Sequence, residues 1–127
     1  MVATSPLKIV AADDDARMRE FYRAVLQHLG HTVLGVAAHG YELLELSLRV
    51  ADPIDLLITD VRMPVMSGVE AACIIAERRP LPVLFVSAFP EDVLSVGIAL
   101  PFAHRLLTKP IGMAELAAEV PLATRRM

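Results

Sequence analysis

A single cysteine, Cys73, among 127 residues leaves no internal disulfide and no cysteine metal cluster, and such scarcity fits a reducing compartment. Charge of either sign is also in short supply. Twelve basic residues against 15 acidic ones give a net charge of -3, which offers no electrostatic footing for nucleic acid. Long apolar runs are missing too. Although 55% of the residues are hydrophobic and the mean hydropathy is +0.53, nothing approaches the roughly 18 uninterrupted apolar residues of a membrane span. The longest uncharged stretches, Pro80 to Pro90 and Val93 to His104, contain prolines and are split by Glu91-Asp92. The first residues, Met1 to Lys8, carry no basic segment followed by an apolar core, so no secretion signal is expected. Repeats and low-complexity segments are absent as well. These absences leave a single cytoplasmic domain over residues 1–127, with neither nucleic acid nor membrane as a partner. Residues 1–6 read as a loose leader and 121–127 as a C-terminal tail. A chain of this length can bury about two thirds of its unfolded surface.

What is present centres on Asp55 to Gly68. The apolar run Leu56-Leu57-Ile58 ends on Asp60, and the chain then breaks into a loop with Pro64 and Gly68. A short apolar run bounded by turn residues reads as a buried strand. Asp60 then lies at the strand's carboxyl end, where open α/β sheets place their ligands.

The remaining chain alternates in kind. Strands are expected at Lys8–Asp13, Thr32–Val36, Asp55–Asp60, Pro82–Ser87 and His104–Thr108. Helices are expected at Asp15–Leu29, Tyr41–Val50, Gly68–Arg79, from Pro90-Glu91-Asp92 onward, and at Gly112–Val120 before Pro121. The first helix shows the clearest period, with Met18, Phe21, Tyr22, Val25, Leu26 and Leu29 on one face, Asp15 as N-cap and Gly30 just past its end. On the second helix Tyr41, Leu44 and Leu48 are expected to share one side; on the third, Val69, Ala72, Cys73 and Ala76 are expected to face inward. The fourth is expected to be short or irregular, weakened by Gly97 and Pro101. Five strand–helix alternations with near-continuous apolar strands predict a parallel sheet covered on both faces.

In such a sheet the strand ends share one edge. Asp13-Asp14, Asp60, Ser87 and Lys109-Pro110 therefore converge, although they are far apart in sequence. Three carboxylates together repel unless a cation joins them, and an all-oxygen set that leaves room for water and a phosphoryl oxygen suits Mg²⁺. With charge so neutralised, a carboxylate can attack phosphorus, while the Ser87 hydroxyl and the Lys109 ammonium each meet one oxygen of the transferred group. Singly, each residue has a plainer reading. Asp13-Asp14-Asp15 suits a turn and helix cap, Lys109 a solvated loop, and Cys73 core packing. His28, His31, His39 and His104 are scattered without ligand spacing and read as surface or half-buried residues.

Taken together, Asp13-Asp14, Asp60 within Asp-Val-Arg-Met-Pro-Val-Met-Ser-Gly, Ser87-Ala88 and Lys109-Pro110 resemble the receiver domain of bacterial response regulators, over Lys8 to about Val120. The resemblance implies a flavodoxin-like three-layer α/β sandwich with strand order 2-1-3-4-5 and about five helices. It implies Asp60 as phosphoacceptor and Asp13 and Asp14 as the acid pair holding Mg²⁺ (or Mn²⁺) together with Asp60, Asp14 being the more direct ligand. By the same resemblance Arg62 lends its backbone carbonyl to the metal, Ser87 is the switch hydroxyl, and Lys109 precedes a cis bond to Pro110. The implied donor is a histidine kinase or a histidine phosphotransfer protein. The output is a downstream protein partner or a second copy of the chain, with no DNA-binding domain expected after Met127.

Two departures stand out. Leu106 occupies the position where such receivers carry a switching Phe or Tyr, and Ile98 to His104 breaks the usual helix ending. The uncharged stretch from Val93 to Phe102 suits either core or an exposed docking patch. Three alternatives remain: a receiver cut from a hybrid sensor kinase, a haloacid-dehalogenase-type phosphatase using Asp13 with Asp15 as acid, and a receiver-like binding module that is never phosphorylated.

Overall fold

Five short apolar runs become five parallel strands in the computed structural model, which describes residues 5–89, 91 and 100–124. In chain order the elements are β1 (Lys8–Ala12), α1 (Ala16–His28), β2 (Thr32–Ala37), α2 (Gly40–Arg49), β3 (Leu56–Thr59), α3 (Gly68–Arg78), β4 (Val83–Ser87), β5 (His104–Thr108) and α4 (Met113–Thr124). The sheet order is β2-β1-β3-β4-β5, as expected for a flavodoxin-like fold. The helix expected from Pro90 lies almost wholly outside the described residues.

Alternation along each strand builds two cores from one sheet. Ile9, Ala11, Leu56, Ile58, Leu84 and Val86 face α1 and α4, where they meet Tyr22, Val25, Leu26, Leu116 and Val120. Val10, Ala12, Leu57, Val83 and Phe85 face α2 and α3, where Leu43, Ala71, Ala72 and Ile75 close over them. Both faces of the central strands are fully buried, which explains why these segments are apolar throughout rather than alternating.

The helix termini follow local chemistry. The Asp15 carboxylate accepts the Arg17 N–H at 2.9 Å and caps α1. Gly30 takes φ 96° directly after that helix, a conformation only glycine adopts freely. Ser67 and Glu70 form a reciprocal capping box on α3. His39 caps α2 through Nδ1, which accepts the Glu42 N–H at 3.1 Å. His31, expected at the surface or half-buried, is buried, and its Nδ1 accepts the Leu7 N–H at 3.0 Å.

The buried stripe of α2 is Gly40, Leu43 and Ser47, while Tyr41 is exposed and Leu44 and Leu48 are only half-buried. A Cβ on Gly40 would sit 1.9 Å from the Met66 carbonyl oxygen, so close approach of this glycine sets the helix rotation. Two expectations need correction. On α3 the inward residues are Gly68, Ala71, Ala72 and Ile75; Val69, Cys73 and Ala76 are half-buried. The last helix does not stop before Pro121 but runs through it to Thr124, taking 121–124 out of the tail. Proline removes a single N–H donor there, the Thr124 hydroxyl donates to the Val120 carbonyl, and Val120 and Ala123 stay buried on the core. No helix among the described residues is long and apolar enough to cross a membrane.

Candidate functional site

The strand ladders run one rung past their ends and carry the chemistry with them. The Asp13 N–H donates to Ala37 O and the Asp60 N–H to Ala12 O, both at 3.0 Å, which sets the two aspartates side by side beyond β1 and β3. The Lys109 N–H donates to Ser87 O at 2.8 Å and does the same for β4 and β5. The Lys109–Pro110 peptide is cis, as the resemblance implied.

These placements gather one pocket. Asp13, Asp14 and Asp60 each offer a carboxylate oxygen within 4.8 Å of the others. Asp13 is fully buried, Asp60 nearly so, and Asp14 is exposed, so the cluster opens to solvent on one side. Lys109 Nζ lies 2.8 Å from Asp13 Oδ2 and 3.0 Å from Asp60 Oδ2. The remaining oxygens are held by the backbone: Asp60 Oδ1 accepts the Val61 N–H at 2.7 Å, and Asp13 Oδ1 accepts the Asp15 N–H at 2.9 Å.

One cation shared by two carboxylates leaves the account of charge uneven. Burial pushes the Asp13 carboxyl above its ordinary range, and Lys109 only partly offsets this. Burial alone would pull the Lys109 ammonium down, yet the two carboxylates together hold it above its usual value. Asp13 Oδ2, although ion-paired, accepts no well-directed hydrogen bond and lies buried. A buried carboxylate oxygen that is ion-paired but not fully hydrogen-bonded, within an all-oxygen cluster, suits a hard divalent cation such as Mg²⁺.

The loop after Asp60 is held tightly from below. The Thr59 hydroxyl donates to Asp60 O at 2.8 Å, and the Gly68 N–H donates to Val61 O at 2.8 Å. A Cβ on Gly68 would meet Asp60 O at 1.9 Å, so only glycine lets α3 start here. At the tip the Met66 N–H donates to Pro64 O around Val65, which has φ 73° and is 81% exposed. A β-branched residue at positive φ is strained, and such strain gathers at functional loops.

The sequence-predicted residues divide by position. Asp13, Asp14, Asp60 and Lys109 come together. Ser87 is buried beside them, but its hydroxyl is engaged elsewhere: it accepts the Phe89 N–H at 2.9 Å and donates to Phe89 O at 3.2 Å. The exposed Arg62 places its guanidinium 3.9 Å from the centre of the Phe89 ring. Leu106 is half-buried on the α2–α3 side of the sheet and registers with Phe85 of β4. Around it Phe85, Phe102 and His104 form a ring cluster with centroids 6.1–6.3 Å apart. Sequence reading missed Phe89 and this cluster, although an aromatic two residues after Ser87 was a visible signal for the first. Asp15, the acid of the phosphatase alternative, spends its carboxylate on capping α1.

Residues 9–121 match the response regulator receiver domain family. The transcriptional regulatory protein PdtaR of Mycobacterium tuberculosis is 32% identical over 124 residues, covering 98% of this chain and 60% of PdtaR. The chain therefore spans about 60% of that relative's length. The response regulator receiver protein CpdR of Brucella abortus is 32% identical over 116 residues, covering 89% of this chain and 92% of CpdR. Among solved structures, the chemotaxis response regulator CheY4 of Vibrio cholerae superposes with a TM-score of 0.76 at 28% identity, covering 94% and 99% of the two chains.

Proposed function

The chain belongs to the response regulator receiver domain family, and from that premise we propose that Asp60 accepts a phosphoryl group from a phosphohistidine donor. The donor is a histidine kinase or a histidine phosphotransfer protein, and the chain acts as one receiver domain over residues 1–127, in the cytoplasm. A carboxylate oxygen of Asp60 attacks phosphorus as the P–N bond to the donor imidazole breaks, leaving an acyl phosphate on Asp60. Asp13, Asp14 and Asp60, with the Arg62 backbone carbonyl, would hold Mg²⁺. When bound, the ion offsets the charge of carboxylates and phosphoryl oxygens. Lys109 meets a phosphoryl oxygen as a point charge, and Ser87 donates to another. The signal leaves by contact with a protein partner, and the domain catalyses only its own phosphorylation and dephosphorylation.

The observation that supports this reading best is Lys109 Nζ within 3.0 Å of Asp60 Oδ2 and 2.8 Å of Asp13 Oδ2 at a carboxylate cluster open on one side. Incubation with a small-molecule phosphoryl donor and Mg²⁺ should label the chain, and Asp60→Asn should abolish the label. Labelling that persists in Asp60→Asn would sink the assignment.

A further inference from the structure

A serine hydroxyl has one proton to donate, and in Ser87 that proton is already spent. It goes to the Phe89 carbonyl at 3.2 Å, while the same oxygen accepts the Phe89 N–H at 2.9 Å. Phosphoryl oxygens only accept, so Ser87 can meet one only by letting go of the Phe89 carbonyl. Phe89 is 43% exposed, so the residue stands partly open to solvent. The ring of Phe89 carries the Arg62 guanidinium at 3.9 Å. The stack is thus anchored at both ends to the candidate phosphoryl site: Arg62 two residues after Asp60, Phe89 two residues after Ser87. Leu106, by contrast, is packed with Phe85 and Phe102 in the core on that side of the sheet, and offers no ring to swing.

We propose that the Arg62–Phe89 stack is the switch contact of this chain and does the work of the missing aromatic at position 106. In the resting form Ser87 clamps the Phe89 backbone and the ring seats Arg62. When Ser87 turns its proton to a phosphoryl oxygen, the clamp opens and the stack parts. The exposed Phe89 ring and the Arg62 charge then present a changed surface beside the site. This switch rests on the reading of Asp60 as the phosphoacceptor.

NMR on the full chain separates the two claims. Beryllofluoride with Mg²⁺ serves as the phosphoryl mimic, and ¹⁹F spectra report whether it binds. In the resting chain the Arg62 Nε–H should be shielded by the Phe89 ring, and Phe89→Leu, a change at an exposed position, should remove that shielding and identify the signal. On adding the mimic, a bound ¹⁹F signal should appear, the Phe89 amide should shift, and the Arg62 signal should move to its Phe89→Leu position. A bound ¹⁹F signal with the Arg62 resonance unmoved overturns the switch and leaves the phosphoacceptor reading standing. No bound ¹⁹F signal overturns both.

Discussion

Asp13 is the residue at which folding and the proposed Mg²⁺ binding pull in opposite directions. Its carboxyl is raised by burial above the ordinary value of 3.8, so the folded chain holds that proton more tightly than the unfolded one. Stability from this group is therefore lost as pH rises through the carboxylate range, and at neutral pH its charge is a cost. Asp13→Asn keeps an oxygen for the Asp15 N–H and removes that cost. The metal-free variant should melt at a higher temperature than the native chain, while its Mg²⁺ affinity should fall by about tenfold or more. Thermal melts with and without Mg²⁺ check both, because added Mg²⁺ should raise the midpoint of the native chain and not that of the variant. His31 provides a second titration. Burial holds its imidazole below 6.5, so its contribution is complete above that pH and lost as pH falls beneath it. Protonation also takes the lone pair that accepts the Leu7 N–H. The melting midpoint should drop on acidification below 6.5, and His31→Asn, which offers an oxygen in place of Nδ1, should flatten that part of the profile. Equal slopes in the two proteins would count against the assignment. At this scale the meeting of Asp13, Asp60 and Lys109 was legible because charged residues recur just past the ends of several strands that share one sheet edge. The burial of His31 was not, since nothing in its neighbours signals the backbone N–H of Leu7, 24 residues earlier in the chain.

Among the elements, α3 shows how a helix start positions chemistry. Gly68 lies so close beneath Asp60 that any side chain there must displace backbone. Gly68→Ala should destabilise the chain by about 1–3 kcal/mol, the usual cost of overpacking. It should also slow phosphorylation of Asp60, whose carbonyl has to move. Urea midpoints and the rate of labelling test the two effects separately. Small residues also mark the buried helix faces. Tyr41, Leu44 and Leu48 share an apolar side of α2, but Gly40, Leu43 and Ser47 are the buried ones, and Gly40 brings the helix start hard against Met66 of the 60–68 loop. Arg79 ties α2 and α3 together by donating to the Ser47 and Val50 carbonyls at 2.7 and 2.8 Å. Neither close approach nor a cap from 30 residues away has a period that a sequence can show. Strands were easier: β5 forms over His104–Thr108 as expected, and the others end within a residue or two of their predicted limits.

For the molecule as a whole, a parallel sheet with helices on both faces explains why four separated motifs share one pocket. β1, β3 and β5 each deliver the residue just past their ends to the same edge, and the ladder hydrogen bonds of Asp13, Asp60 and Lys109 fix their relative heights. That much of the fold and site followed from alternation and strand-end chemistry. The route out of the site did not, because Leu106 removes the expected signal and Phe89 gains its role from contacts with Ser87 and Arg62 that only the folded chain reveals. The central claim, that the pocket exists to phosphorylate Asp60, can be tested directly on the full chain. Incubation with a phosphoryl donor and Mg²⁺, reduction of the acyl phosphate with borohydride, and peptide mass spectrometry would locate the modified residue, since reduction converts an acyl-phosphorylated aspartate to homoserine. Homoserine at position 60 alone, dependent on Mg²⁺, is the expected result; homoserine at position 13 or 14, or at no position, would contradict it.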